Sequence, residues 1–247
     1  MLLQCLVLGG GVGERMRPAT ETLPKPLLLV AGEPFVVHQL RWLAAEGVTD
    51  VVYSIGYLGH LIRRELDGRK DLGCSVRFVD DGPTLAGTGG AVRRAVDEGA
   101  LDATFFLLYG DSYLQLDLRA VADTFEQSGA EALMTVYRND GAWDRSNVVF
   151  DGRRVVRYDK HEPEPAAVGM RHIDYGLSIL GRDTVSSRVP RGRPSDIAEL
   201  FHALSLEDRL AGYEAERRFF EIGSPGGLAD LIHHLAPECC DDDDTHH

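Results

Sequence analysis

The sequence is poor in positive charge and in long apolar runs. Its 39 acidic and 26 basic residues give a formal net charge of −13, which argues against a sequence-independent grip on nucleic acid or on an anionic membrane surface. No apolar run approaches the roughly 20 residues that cross a bilayer. We therefore expect neither nucleic acid nor membrane as a partner, and any phosphate binding must depend on a few local cations.

Targeting signals and a disulfide framework are also missing. The apolar run at residues 2–8 follows Met1 with no basic segment before it, so a cytoplasmic protein is expected. Cys5 and Cys74 lie in or beside apolar runs, where a buried thiol is the ordinary outcome. The other two cysteines belong to residues 237–247, an acidic segment that matches no zinc spacing and is predicted to be a disordered tail.

The first half of the chain alternates strand-like and helix-like segments. Strand-like apolar runs occupy residues 2–8, 50–55, 74–79 and 104–109. Helix-like stretches lie between them, for example at residues 35–46 and 90–98. This order predicts a largely parallel sheet with helices on both faces, whose ligands bind at the carboxyl ends of the strands.

The second half changes character, because its strand-like runs lie close together. They occupy residues 131–138, 147–150 and 154–158, with Asp151-Gly152 as a short hairpin turn. Neither an internal repeat nor a long flexible linker separates the halves. The fold class predicted from these patterns is α/β with a mixed sheet, as one domain.

A glycine cluster follows the first strand-like run. Its members are Gly9, Gly10, Gly11 and Gly13. Glycines without a Cβ let main-chain N–H groups close on an anion, and the nearby cations Arg15 and Lys25 can share the charge of a triphosphate. A tight turn is the structural alternative, but the cations and the two prolines that flank Lys25 favour a phosphate site.

Two common phosphate loops are excluded by what this cluster lacks. A dinucleotide-binding fingerprint needs a third glycine three residues after Gly13, where Met16 stands. The Gly-Lys-Ser/Thr of a Walker loop is absent as well.

A second glycine element, Gly87-Thr88-Gly89, opens a helix-like stretch. Unpaired N–H groups at a helix start favour an anion or the edge of a base. An ordinary helix start with Thr88 as its cap explains the same pattern.

Asp111 follows the apolar run 104–109 after a single glycine. A carboxylate at the carboxyl end of a strand suits Mg²⁺, which takes one or two protein carboxylates and fills its shell with phosphate oxygens and water. An aspartate that only stabilises the next turn is the alternative.

The sequence Gly-Gly-Gly-x-Gly-x-Arg-Met-x-Pro-x-Thr at residues 9–20, followed by Pro-Lys-Pro-Leu, resembles the signature of the sugar-1-phosphate nucleotidyltransferases. Within that family the chain is most similar to short heptose- or mannose-1-phosphate guanylyltransferases and muramate-1-phosphate uridylyltransferases. The resemblance implies a Rossmann-like three-layer domain over residues 1–236, with a mixed, mostly parallel sheet. Residues 1–130 would mainly bind nucleotide and residues 131–236 mainly the sugar phosphate.

The resemblance also implies roles for the donor site. The first glycine cluster would wrap the triphosphate, Arg15 and Lys25 would bind its phosphates, and Gly87 to Gly89 would contact base and ribose. Asp111 would bind Mg²⁺. Glu221-Ile222-Gly223-Ser224-Pro225 resembles the family's Asp-x-Gly-Thr-Pro element, so Glu221 would be the second metal ligand, with Glu where Asp is usual.

Every one of these late positions has a simpler explanation. Glu221 could be a surface acid paired with Arg217 or Arg218. Lys160 resembles the family's lysine for the acceptor phosphate, although a lysine at a hairpin end is ordinarily solvated. Asp174 and Gly176 resemble the segment that lines the sugar pocket, although a plain buried strand fits too.

The implied reaction transfers a nucleoside monophosphate from an NTP to a sugar 1-phosphate, with GTP and a heptose- or mannose-type acceptor expected. The acceptor phosphate is already anionic near neutral pH, since its second pKa is about 6, so no activated Ser, Cys or His is needed. Alternatives are a UTP or CTP enzyme for another sugar phosphate or a phosphocholine-like acceptor, and a non-catalytic nucleotide-sugar sensor. The sequence leaves the base, the acceptor and the choice between monomer and homodimer open.

Overall fold

A mixed β-sheet runs through the middle of the protein. The computed structural model describes residues 3–82 and 86–236, and within them nine strands form one sheet. Met1, Leu2, residues 83–85 and the predicted tail 237–247 lie outside the described residues.

The elements follow one another in the order expected of an α/β protein. The strands are β1 (Gln4–Leu8), β2 (Leu29–Val30), β3 (Glu33–Pro34), β4 (Asp50–Ile55), β5 (Ser75–Asp80), β6 (Thr104–Tyr109), β7 (Ser112–Tyr113), β8 (Ala132–Arg138), β9 (Val148–Phe150), β10 (Val155–Tyr158), β11 (His172–Gly181), β12 (Leu210–Ala215) and β13 (Phe220–Glu221). The helices are α1 (Phe35–Ala45), α2 (Gly59–Leu66), α3 (Gly87–Asp97), α4 (Leu118–Ser128), α5 (Arg182–Arg188), α6 (Ile197–Leu206) and α7 (Pro225–Leu235). Within the described residues, no helix is both long and apolar enough to cross a membrane.

The main sheet confirms the predicted fold class. Its order is β10-β9-β11-β6-β1-β4-β5, and β8 joins it by pairing with β11 and β12. Strands β6, β1, β4 and β5 are parallel, whereas β11 is antiparallel to both β6 and β8. Two strands have the predicted bounds, 50–55 and 104–109, and helix α3 begins three residues earlier than predicted. Both halves of the chain therefore contribute to one sheet.

The central strands β1, β4 and β6 are buried on both faces, which explains why they appear as apolar runs rather than alternating ones. In β1, Cys5 and Val7 pack into a core with α1 and α2, while Leu6 points into a second core with α3 and α6. All three side chains are fully buried. The predicted core position of Cys5 is therefore confirmed, and its burial raises the pKa of the thiol.

Strand β11 contains an irregularity next to the carboxyl end of β6. Its pairing with β8 shifts register between Asp174 and Ser178, and Gly176 there has φ +105°. A Cβ on Gly176 would lie 2.9 Å from the Ser112 Oγ. Only glycine accommodates both this backbone conformation and this contact. A bulge of this kind re-aims the neighbouring side chains, here that of Asp174.

A two-stranded sheet carries the late Glu221 element to the end of β6. Strands β7 and β13 are antiparallel, with Glu221 opposite Ser112. The Ile222 N–H donates a hydrogen bond to the Asp111 carbonyl at 3.0 Å. Residues 109 and 111 positions apart in the chain are thus held side by side by strand pairing and a main-chain hydrogen bond.

Helix α6 offers a matched test of the second core. Leu204 is fully buried and Leu206, two residues later, is 62% exposed. We expect Leu204→Ala to lower the free energy of unfolding by about 2–5 kcal/mol, because it removes packed methyl groups and leaves a cavity. Leu206→Ala should change it by less than about 0.5 kcal/mol. Urea unfolding followed by circular dichroism measures both, and equal losses would contradict this packing.

Candidate active site

A cavity of about 350 Å³ lies at the carboxyl ends of β1 and β6. Its described lining is Leu8, Gly9, Gly10, Gly11, Val12, Lys25, Pro26, Asp81, Ala86, Gly87, Thr88, Ala91, Tyr109, Gly110 and Asp111. Three separate sequence elements, the glycine cluster with Lys25, the Gly87-Thr88 helix start and Asp111, thus meet in one place. This is the edge at which a parallel sheet binds its ligands.

The backbone of the first glycine cluster packs closely against Tyr53 and Asp81. A Cβ on Gly9 would lie 2.2 Å from the Tyr53 ring, and one on Gly10 would lie 2.2 Å from the Asp81 Oδ2. Real side chains do not tolerate such distances, so the turn requires glycine for steric reasons. The upper side of Gly11 faces open space, which leaves room for a ligand to approach the main chain.

Lys25 and Asp111 form an ion pair in this cavity. The Lys25 Nζ lies 2.6 Å from the Asp111 Oδ2, and the two side chains are only 16% and 28% exposed. Lys25 is positioned by a short 3-10 helix, Lys25–Leu27, that begins after Pro24. The pair places one positive and one negative charge where a phosphate and a metal ion would both need partners.

A second cavity of about 440 Å³ adjoins the first and shares Asp111 with it. Its lining includes Arg15, Glu221 and Ser224. A Cβ on Gly223 would lie 2.7 Å from the Glu221 Oε2, 3.1 Å from the Arg15 Nη2 and 3.2 Å from the Asp111 Oδ2. Glycine at 223 therefore leaves open the space on which two carboxylates and a guanidinium converge.

Glu221 has polar partners of its own. Its Oε2 accepts from the Gly223 N–H and its Oε1 accepts from the Ser224 hydroxyl, which also caps α7. Among the described ion pairs, Arg218 pairs with Asp230 rather than with Glu221, and Arg217 pairs with neither. The surface-pair explanation of Glu221 is therefore wrong, and the extra methylene lets its carboxylate reach back to the start of α7.

Asp174 is the most perturbed acid near the cavity. Its Oδ1 accepts from the Gly176 N–H at 3.0 Å, and its Oδ2 accepts from the Tyr109 hydroxyl at 3.3 Å. Burial raises its pKa to about 6, although these two bonds and the nearby Lys160 ammonium act in the opposite direction. Tyr109 itself lines the first cavity, so Asp174 lies directly behind that wall.

Lys160 is not solvated freely. Its ammonium is paired with the Asp196 carboxylate, and their side chains are 37% and 39% exposed. It also lies close enough to Asp174 to lower the pKa of that acid. Asp174 and Gly176 thus contact Tyr109 and Lys160 lies near Asp174, but none of the three belongs to the described lining of either cavity.

Two predicted nucleotide-binding glycines lie elsewhere. Gly13 precedes the 3-10 turn that carries Arg15, and its carbonyl accepts from the Thr20 hydroxyl at 2.8 Å. A Cβ on Gly89 would lie 2.7 Å from the Ser195 Oγ. Neither belongs to the described lining of the first cavity. Both shape the loops that other residues use, because they permit close backbone contacts.

Sequence reasoning missed three features of the site. Asp81 lines the first cavity and follows β5 directly, so the strand-end rule that selected Asp111 would have found it. Asp196 pairs with Lys160 from 36 residues away, for which the sequence has no signal. Trp143 covers the Arg218 guanidinium at 3.9 Å in the second cavity, and nothing in the sequence predicts that pairing.

Comparison with known proteins identifies relatives in sequence that are nucleotidyltransferases. The sequence profile of a family described as nucleotidyl transferase matches residues 4–152. A mannose-1-phosphate guanyltransferase of Neurospora crassa is 30% identical over 226 residues, which are 90% of this chain and 61% of that protein. The corresponding protein of Candida albicans is also 30% identical, over 89% of this chain. The chain thus spans about 61% of the length of these relatives.

Solved structures share the fold at lower identity. HddC from Yersinia pseudotuberculosis, complexed with GMP-PN, has a TM-score of 0.77 at 20% identity and covers 95% of this chain and 100% of its own. UDP-glucose pyrophosphorylase from Acinetobacter baumannii has a TM-score of 0.81 at 16% identity and covers 98% and 95%. Since the family profile spans more than half of its residues, the chain belongs to the nucleotidyl transferase family.

Proposed function

We propose that this protein transfers GMP from GTP to a mannose- or heptose-type sugar 1-phosphate and releases pyrophosphate. One observation carries the proposal. Asp111, ion-paired to Lys25, lines both adjoining cavities, so a single carboxylate lies between a glycine-lined nucleotide site and the space that Arg15 and Glu221 share. The names of the relatives support guanine and mannose 1-phosphate as substrates.

The nucleotide is bound mainly by main chain. The triphosphate lies along the glycine turn, and Lys25 and Arg15 offset its charge. Gly87 and Thr88, at the start of α3, face the base and ribose. Asp81 adds a carboxylate to this cavity, which suits the N–H donors of guanine, because an ionised carboxylate only accepts hydrogen bonds.

Asp111 and Glu221 fit Mg²⁺. Two carboxylates converge on the space beside Gly223, and Mg²⁺ commonly takes two carboxylates and completes its shell with phosphate oxygens and water. No cluster of three or more acidic, His or Cys side chains competes for a metal within the described residues. A bound Mg²⁺ supplies neutralisation of phosphate charge.

The acceptor lies on the Asp174 side of Tyr109. Its phosphate is bound by Lys160 and its sugar hydroxyls by Asp174, because Asp174 contacts the wall residue Tyr109 and Lys160 lies near Asp174. The anionic phosphate oxygen attacks the α-phosphorus of the nucleotide, and pyrophosphate leaves toward Arg15. The protein contributes alignment and charge stabilisation, so the reaction needs no nucleophilic side chain.

The proposal predicts pyrophosphate release that depends on Asp111. With Mg²⁺, GTP and mannose 1-phosphate, the wild-type protein should release pyrophosphate, and Asp111→Asn should lower kcat by about 100-fold or more, as expected when charge stabilisation in a phosphoryl-transfer site is lost. Removal of Mg²⁺ with EDTA should stop release and renewed Mg²⁺ should restore it. A coupled phosphate assay with other NTPs and sugar phosphates, and with phosphocholine, measures specificity.

Asp102→Asn is the matched control for this experiment. Asp102 is exposed and precedes β6, whereas Asp111 follows the same strand at the active-site edge. The activity of the Asp102→Asn variant should equal that of the wild type. Nucleotide binding without pyrophosphate release from any substrate pair would contradict the proposal and favour the non-catalytic sensor.

A second prediction concerns how burial of the Asp174 carboxyl lowers the free energy of unfolding as pH rises. Its folded-state pKa of about 6 exceeds the ordinary value of 3.8, so the folded state binds more protons than the unfolded state, and stability is lost as pH rises toward and through about 6. Asp174→Asn removes this loss. The melting temperature of the variant relative to wild type should therefore rise by a few degrees between about pH 4.5 and pH 7.5, at about 2–4 °C per kcal/mol.

Differential scanning calorimetry at the two pH values measures the difference, with Asp102→Asn again as the control whose relative melting temperature stays constant. A pH-independent difference for Asp174→Asn would show that burial of this carboxyl does not affect stability. Loss of acceptor binding in the same variant is expected from its proposed role.

A further inference from the structure

Asp196 lies between the two halves of the proposed site. Its Oδ1 accepts from the Thr88 hydroxyl at 3.0 Å, and its Oδ2 pairs with the Lys160 ammonium. Thr88 lines the nucleotide cavity, whereas Lys160 lies on the acceptor side. One carboxylate thus contacts a residue of each proposed subsite.

Asp196 is itself held rigidly. It is the N-cap of α6, and its Oδ1 accepts from the Ala198 N–H at 3.0 Å. The preceding residue, Ser195, exchanges main-chain hydrogen bonds with the start of α3, donating to the Ala86 carbonyl at 3.0 Å and accepting from the Gly89 N–H at 2.9 Å. Asp196 can therefore anchor a flexible partner without moving itself.

Lys160 needs such an anchor. It follows β10 in a turn and carries a long side chain that has about 2 kcal/mol of rotamer entropy when free. Its ammonium has three donors, so a bond to Asp196 leaves others for a phosphate. The helix cap uses only the Oδ1 of Asp196, and capping therefore does not explain why its Oδ2 faces Lys160.

We propose that Asp196 is a positioning residue that holds the Lys160 ammonium in place for the acceptor phosphate. This inference rests on the proposed function, because it assigns Lys160 to the acceptor. Asp196 does not touch the reacting atoms. It lowers the entropy lost when Lys160 binds phosphate, and it fixes the acceptor lysine relative to the nucleotide-binding loop.

The charges around Lys160 make the direction of the effect testable. Asp196 is paired with the ammonium, Asp174 lies close enough for the ammonium to lower its pKa, and the Tyr109 and Tyr158 hydroxyls lie near the two acids. If Asp196 sequestered Lys160, its neutralisation would release the lysine and tighten acceptor binding. If it positions Lys160, the same change weakens acceptor binding.

Asp196→Asn separates positioning from capping. Asn retains an oxygen for Thr88 and the helix cap, since Asn and Asp are comparable N-caps, but places an NH₂ donor against the ammonium. We expect KM for mannose 1-phosphate to rise about tenfold, while KM for GTP and the melting temperature stay close to wild type. A lowered or unchanged acceptor KM overturns the proposal.

A double variant excludes a merely structural role. If Asp196 acts through Lys160, Asp196→Asn should add nothing to the acceptor KM of Lys160→Met, because the positioned group is already gone. Additive effects overturn the proposal. Asp117→Asn is the matched control, because Asp117 caps α4 through the Arg119 and Ala120 N–H groups, is exposed and contacts neither cavity.

Calorimetric binding distinguishes failure of this inference from failure of the proposed reaction. The β-phosphate of GDP-mannose derives from the acceptor and GMP lacks it, so Asp196→Asn should weaken binding of GDP-mannose about tenfold and leave binding of GMP unchanged. If the wild-type protein releases no pyrophosphate but Asp196→Asn still selectively weakens GDP-mannose binding, the proposed transfer is refuted and the positioning role is supported. Equal effects on GMP and GDP-mannose, or no preference of the wild type for GDP-mannose over GMP, refute the positioning role.

Discussion

The ion pair between Lys25 and Asp111 joins the two loops on which the rest of the site depends. Lys25 belongs to the loop after β1, and Asp111 follows β6, its parallel neighbour. The backbones at these strand ends almost touch, since a Cβ on Gly110 would lie 2.4 Å from the Leu8 carbonyl oxygen. The pair can form at 2.6 Å because glycine allows this approach. Asp111 then lies where the two cavities adjoin.

The strongly acidic composition makes this arrangement necessary. With a net charge of −13, the protein as a whole repels a triphosphate. In the proposed function local cations offset that repulsion, and two of them are paired with carboxylates: Lys25 with Asp111 and Lys160 with Asp196. Fixed cations lose less entropy on binding a phosphate than free ones do. These acidic partners would thus contribute to preorganisation of the proposed site.

Several unfavourable local features lie close to the candidate site. Asp174 is a carboxyl held in a poorly solvated position, Gly176 adopts a positive φ in the middle of a strand, and the Tyr53 hydroxyl is buried without a hydrogen-bond partner among the described residues. Asp174 and Gly176 lie in the first half of the antiparallel β11, beside the carboxyl end of β6, and Tyr53 lies near the carboxyl end of β4. Perturbed acids and strained glycines gathered at one edge are typical of functional sites.

The sequence by itself determined the fold class, the strands 50–55 and 104–109, and part of the lining of the first cavity, namely Gly9, Gly10, Gly11, Lys25, Gly87, Thr88 and Asp111. These follow from local patterns: apolar runs, glycines that must lack a side chain, and an acid directly after a strand. Only the tertiary structure decided that Glu221 lies beside Asp111 through the pairing of β7 with β13, that Gly13 and Gly89 support loops instead of lining the cavity, and that Lys160 pairs with Asp196. Such contacts join positions far apart in the chain, and their partners are selected by sheet register and helix packing, which no local pattern encodes.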